Sequence, residues 1–192
     1  MQVQIPSHVI RAAISTASTK DLRYYLVGVH VRVTDEQMIY IESTDGCVAF
    51  QDRLQYLHEG DKGPFSILIP LDAAKTAAKA KTPVLTLADM PDGRYMLGDT
   101  VFTAIDGVFP TIDRVMPKKA DVKTCDVEQM QFNPELLQKC LDAMRHATQE
   151  KKAFFRLQPA MPEQSVGAAL MYCQDTDFPR CALMPLNMRA YS

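Results

Sequence analysis

The sequence predicts an α+β fold built from repeated helix-plus-antiparallel-sheet units. Two features carry this. Apolar residues recur at helical spacing in three separate segments, and each such segment precedes runs rich in β-branched and aromatic residues broken by Asp-Gly or Gly-Asp turns. The same order of elements returns three times at intervals of about 60 residues, which describes the 192-residue chain better than one irregular domain.

In the first unit, Val9, Ile10, Ala13, Ile14 and Ala17 form one helical face, with Ser7 where an N-cap belongs. A strand is expected over Leu22 to Val33, ending at the polar Asp35-Glu36-Gln37. A second follows over Met38 to Thr44, a turn at Asp45-Gly46, and a third strand in CVAFQDRLQYL. After a polar break at His58 to Pro64 the order repeats. FSILI is a strand, an alanine-rich helix runs near Leu71 to Ala80, a strand lies around Val84 to Leu87, and YMLGDTVFTAI holds the last strands, separated by turns at Pro91-Asp92-Gly93 and Gly98-Asp99. The connector PKKADVKTCDVEQ leads to a third unit. It comprises a strand around Met130 to Phe132, a helix from about Pro134 to Ala147 with Asn133 as N-cap, and strands in FFRLQP, GAALMYC and CALMPL.

Composition narrows the function. With 47% hydrophobic and 23% charged residues the chain reads as globular, and five scattered cysteines (Cys47, Cys125, Cys140, Cys173, Cys181) without a C-x-x-C pair suggest a reducing cytoplasm. The N-terminal MQVQIPSHVIRAA has neither an export signal nor the beginning of a membrane span, so no membrane partner is expected. The balance of 21 basic against 23 acidic residues excludes a globally basic nucleic-acid binder. The charge is nevertheless uneven. Over Ser7 to Arg23, Leu71 to Lys81 and Glu135 to Lys152 there are ten basic residues (Arg11, Lys20, Arg23, Lys75, Lys79, Lys81, Lys139, Arg145, Lys151, Lys152) and five acidic ones, a net of +5 that leaves −7 for the remainder. Solvated helix faces give such a split, and so does a basic surface for phosphates.

No catalytic constellation is visible. G-x-S-x-G, Walker-type, G-x-G-x-x-G and H-E-x-x-H motifs are absent, and His8, His30, His58 and His146 lack metal-ligand spacing, so no catalytic residue, cofactor or metal is expected. Cys47 follows a turn and reads as a buried strand cysteine rather than a nucleophile served by the distant His30. Asp45 and Asp106 each precede glycine and read as turn residues, while the 11 methionines read as core filling.

Three stretches resemble the bacterial DNA polymerase III beta subunit, the sliding clamp. DLRYYLVGVHVRV followed by ESTDGCVAF resembles the start of its middle domain, where a D-x-R-Y-Y-L strand precedes a T-D-G turn. DGVFPTIDRVMPKK resembles that domain's closing D-G-x-F-P segment, and MQFNPELLQKCLDAM with CALMPLNM resembles the last helix and M-P-M tail. The resemblance implies a DNA clamp fold, with helices on one face and sheets on the other, and a non-enzymatic processivity factor that encircles double-stranded DNA without reading its sequence. DNA-facing residues would be Arg11, Lys20, Arg23, Lys75, Lys79, Lys81, Lys139 and Arg145. A hydrophobic pocket for peptide motifs of polymerases or clamp loaders would comprise Thr44, Gly46, Cys47, Val48, Pro110, Arg114, Val115, Ala182, Met184, Pro185 and Leu186. Cys47, Val48 and Asn187 replace the family's usual His, Arg and Arg, so the pocket rim is less polar.

The chain is short for that family, which suggests a compact replicon such as a phage or mobile element. On this reading 1–119 form a complete domain of two repeats and 120–192 a half domain, whose open sheet edge and apolar helix face predict a homo-oligomer, a dimer or a tetramer. The alternative is a clamp-like interaction protein that binds clamp motifs without enclosing DNA and regulates or competes with the replication machinery.

Overall fold

The computed structural model describes residues 2–55, 63–117, 131–150, 155–159, 168–173 and 176–184. The first unit contains β1 (Gln2–Pro6), α1 (Ser7–Thr16), β2 (Gly28–Val33), β3 (Met38–Thr44) and β4 (Val48–Gln55). The second contains β5 (Phe65–Pro70), α2 (Leu71–Ala78), β6 (Val84–Asp89), β7 (Tyr95–Leu97) and β8 (Thr100–Phe102). The third contributes α3 (Pro134–Thr148), β9 (Phe155–Pro159), β10 (Ala169–Cys173) and β11 (Arg180–Leu183).

The described strands make two antiparallel sheets, ordered β1-β6-β7-β8 and β5-β2-β3-β4-β11-β10-β9. Each of the first two units therefore lends its leading strand to the other's sheet: β1 pairs with β6, and β5 with β2. This exchange interlocks the two units, because neither sheet is complete without the other's strand. The third unit extends the larger sheet through β11, whose Leu183 lies opposite Val48 and whose Arg180 lies opposite Gln51 of β4.

Alternation along the strands sends one set of side chains toward the helices. Val29, Val31, Ile39, Ile41, Val48, Phe50, Ile67 and Ile69 meet Val9, Ile10 and Ala13 of α1, Ala74 and Ala77 of α2, and Cys140, Ala143 and Met144 of α3 in one buried core. The three helices thus share one side of the sheets, with α1 packed against both α2 and α3. The small Ala12 and Ala13 of α1 and Ala143 of α3, all 0% exposed, let the helices approach closely.

Several local expectations change. Ser7 is not an N-cap: Pro6 holds that position with extended backbone, and Ser7, the first helical residue, is buried and accepts a hydrogen bond from Arg11. The expected strand over Leu22 to Val33 begins only at Gly28, because Tyr24–Leu26 turn as a 3₁₀ helix with Val27 N–H donating to Tyr24 O. β1 was not anticipated. Gln131 and Phe132 are not in a strand, and Met130 lies outside the described residues. Asn133 does cap α3, its side chain accepting from Glu135 N–H at 2.9 Å, with Pro134 at the first helical position.

Candidate functional site

The outer face of the larger sheet, away from the helices, carries a second apolar cluster. Leu26, Ala49, Leu68, Phe109, Ile112, Met116, Leu170, Tyr172 and Ala182 pack there, drawn from the first two units, the third unit and the segment after β8. The 3₁₀ turn at Tyr24–Leu26 delivers Leu26 to this face, and a second one at Ile112–Arg114 presses Ile112 onto it. The cluster straddles the junction of β4 with β11, where Met184 N–H donates to Cys47 O at 2.9 Å.

The residues expected to form a peptide pocket fall unevenly around this cluster. Ala182 belongs to it, and Met184 and Val115 stand exposed beside the strand and turn that form its edge. Pro110 and Arg114 are exposed on the covering segment. Thr44 and Gly46 shape the turn: Thr44 Oγ1 donates to Val48 O and accepts from Gly46 N–H, while Gly46 adopts φ 94°, a conformation that favours glycine. Two assignments need correction. Val48 is 1% exposed and points into the helix-side core, because its neighbour Ala49 takes the outer face. Cys47 is exposed in the turn, not buried in a strand. Pro185 and Leu186 lie outside the described residues. Leu26, Ala49, Ile112 and Met116 were missed, although Leu26 closes the DLRYYL stretch and Ile112 sits within FPTIDRV.

A polar row crosses the same face. Strand register sets His30 opposite Glu42, Glu42 opposite Gln51, and Gln51 opposite Arg180, so four adjacent strands present one line of polar side chains. Glu42, 2% exposed, receives His30 Nδ1 at 2.8 Å, Arg32 at 3.0 Å and Gln51 Nε2 at 2.7 Å. Burial alone would raise its pKa, but those hydrogen bonds outweigh it and hold the carboxyl below its ordinary range. Asp113 of the covering segment accepts from Arg32 and Gln51, and Arg180 donates to Gln51 Oε1 at 2.8 Å. The row therefore fastens the covering segment and the third unit to the first.

On the helix side the expected DNA-facing cations divide into two groups. Lys20, Lys75, Lys79 and Lys81 are exposed and form no ion pair with any described residue; Lys75 lies on α2 and Lys79, four residues on, caps its C-terminus. The other four engage the protein. Arg11 donates to Ala78 O and Ser7 Oγ, Lys139 pairs with Asp45, and Arg145 lies 3.7 Å from Asp142. Arg23 lies outside any helix, paired with Asp21 and set against Gly46, so it belongs to the turn rather than to a helical lining. The antiparallel crossing of α1 and α3 leaves an open cleft of about 470 Å³ lined by His8, Arg11, Arg145, His146, Gln149 and Glu150. Burial, then the nearby Arg11, lowers the pKa of His8.

A helix layer backed by antiparallel sheets, with leading strands exchanged between successive repeats and a sheet running on across the next junction, is the DNA sliding clamp fold. Solved bacterial sliding clamps share this fold with the chain. The sliding clamp of Bacillus subtilis superposes with a TM-score of 0.73 at 12% identity, covering 97% of this chain and 64% of that one. A putative DNA polymerase III beta subunit from Eubacterium rectale gives 0.71 at 12% identity, over 98% and 66% of the two chains. The Pseudomonas aeruginosa clamp bound to griselimycin gives 0.69 at 14% identity, over 97% and 65%. At these identities the likeness defines the fold, and the chain spans about two thirds of the length of the clamps it matches. No protein-family model matches the sequence, and no curated protein matches it. No helix among the described residues is long and apolar enough to cross a membrane.

Proposed function

We propose that this chain is a clamp subunit that encloses duplex DNA against its helix layer and tethers short peptide motifs of replication proteins at the outer-face cluster. The observation that carries the reading is the clamp fold with Lys75 and Lys79 exposed on the helix layer, opposite the sheet face that bears the apolar cluster. Unpaired lysines attract phosphates without reading bases, which suits a sliding contact. Clamping asks no chemistry of the chain.

In this reading 1–119 form a complete clamp domain and 120–192 a half domain. The third unit's β11 edge and the inner face of α3 are covered by β4 and α1, while among the described strands β9 ends the larger sheet, and in this reading it offers its edge to a second copy. Pairing of two third units about a twofold axis makes three domains per dimer, and two such dimers make a six-domain ring.

One observation favours the second reading, a clamp-like adaptor that binds clamp motifs without enclosing DNA: half of the eight expected lining cations are already bonded within the protein. A paired substitution separates the two. Lys75→Glu with Lys79→Glu is expected to weaken DNA association and reduce the salt slope by about 2 while peptide binding stays intact. An unchanged slope favours the adaptor. Met184→Lys is expected to abolish binding of a clamp-motif peptide in either case; equal binding by the variant places the peptide elsewhere.

A further inference from the structure

The outer face holds a constellation that clamping does not use. Ser66 on β5 is exposed, and its Oγ lies 2.7 Å from His30 Nε2, while His30 Nδ1 lies 2.8 Å from Glu42 Oε2. We propose that Ser66, His30 and Glu42 form a nucleophile, base and orienting carboxylate that hydrolyse small uncharged carboxylic esters. The roles follow from geometry rather than from any sequence motif. The buried, ionised Glu42 accepts from Nδ1–H and so fixes the tautomer in which Nε2 accepts the Ser66 proton. Phe109 stacks on the imidazole at 4.6 Å and holds the ring plane. The other charged groups facing the ring are neutralised, since Arg32 bridges Glu42 and Asp113.

Ser66 lies where two cavities meet. One, of about 390 Å³, runs beneath Val108, Phe109, Pro110 and Ile112, and the other, of about 440 Å³, runs beside Val33, Pro64 and Phe65; Ser66 and Arg32 line both. A substrate carbonyl placed over Ser66 sends its acyl group into one and its alcohol group into the other, where Val108, Phe109, Pro110 and Ile112 in the first and Val33, Pro64 and Phe65 in the second contact uncharged groups. Gly107, Val108 and Phe109 line the first cavity, and their backbone N–H groups are the donors the proposal requires for a developing oxyanion.

In the first half-reaction Ser66 Oγ bonds to the carbonyl carbon as its proton passes to His30 Nε2. The ester C–O bond then breaks and the departing alcohol takes that proton. In the second, water loses a proton to Nε2 and attacks the acyl carbon, the acyl–Oγ bond breaks, and Ser66 regains the proton as the carboxylic acid leaves. Ser66 and His30 are the catalytic residues, and Glu42 is a positioning residue.

The test uses the full chain with p-nitrophenyl acetate and butyrate, and a fluorophosphonate probe located by peptide mapping. Expected are a single label on Ser66 and at least about a 100-fold loss in Ser66→Ala and in His30→Gln. Ser66 is exposed, so Ser66→Ala keeps the fold and circular dichroism verifies it. Glu42→Gln, close in shape, should lower kcat at least about 10-fold with KM little changed as the imidazole tautomer is lost, which a purely structural role would not do. Hydrolysis by Ser66→Ala at the wild-type rate, or absence of label from Ser66, overturns the proposal and leaves the clamp reading untouched.

Discussion

On the outer face of the seven-stranded sheet Glu42 meets three donors, whereas on its helix side Asp52, from the neighbouring strand, accepts among the described residues only the Arg53 amide. Both carboxylates are buried, at 2% and 6% exposure, yet their chemistry diverges. Glu42 is held below the ordinary carboxylate range, and burial pushes Asp52 up to about 6. The outer face can therefore keep charges in place and position them, while the helix side is an apolar core in which a charge is a burden. That difference explains why the apolar cluster, the polar row and the proposed ester-hydrolysis site all fall on one face, with the helix side left to packing and to its solvent-exposed lysines.

The largest effect expected from this contrast is on the helix side. Phe50, 0% exposed beneath the helices, should cost about 3–5 kcal/mol of unfolding free energy when changed to alanine, because the sheet cannot collapse into the space. Removing Glu42 on the opposite face should come close. Glu42→Ala leaves His30, Arg32 and Gln51 without their common acceptor, with a loss of about 3 kcal/mol near neutral pH. The loss should shrink in acid, because a carboxylate whose folded pKa is lowered contributes stability only above its unfolded pKa and loses it as pH falls. Denaturant titration at two pH values measures both, and a pH-independent loss would remove Glu42 from the charged state assigned to it.

Asp52 has the opposite sign. Its folded pKa of about 6 lies above the ordinary 3.8, so its contribution is fully present below about pH 4 and is lost as pH rises through about 6. Asp52→Asn should therefore stabilise the protein by up to about 3 kcal/mol at pH 7.5 and flatten the profile between these values. Destabilisation at pH 7.5 would mean that the helix side does hold a charge well, and the contrast fails. The smallest effect belongs to the Lys139 pair with Asp45, whose side chains are 39% and 11% exposed. Lys139→Ala should cost less than about 1 kcal/mol and lose sensitivity to salt.

The sequence made the repeats, the third helix with its Asn133 cap and most strands legible, because each is written in local periodicity and turn chemistry. It misread places where local and tertiary preferences part. Leu22 to Leu26 has strand composition, but the chain turns there and Leu26 reaches the outer cluster. β1 is only five residues long, and its Val3 and Ile5 alternate over too short a span to stand out. Ser66 and His30 are 36 residues apart and meet only because β5 crosses from the second unit to pair with β2. No spacing rule marks such a contact, since exchange of strands between repeats creates it. The clamp resemblance pointed to Ala182, which does lie in the outer apolar cluster, but Val48 showed the opposite failure: motif position assigned it to the surface, and strand parity turned it inward.

The central claim is that copies of this chain enclose duplex DNA. Light scattering coupled to size separation, on the protein alone and then with circular and linear duplexes of equal length, tests it most directly. The account predicts a tetramer that stays on the circle and is lost from linear ends. A species that treats both DNAs alike, or binds neither, would contradict it.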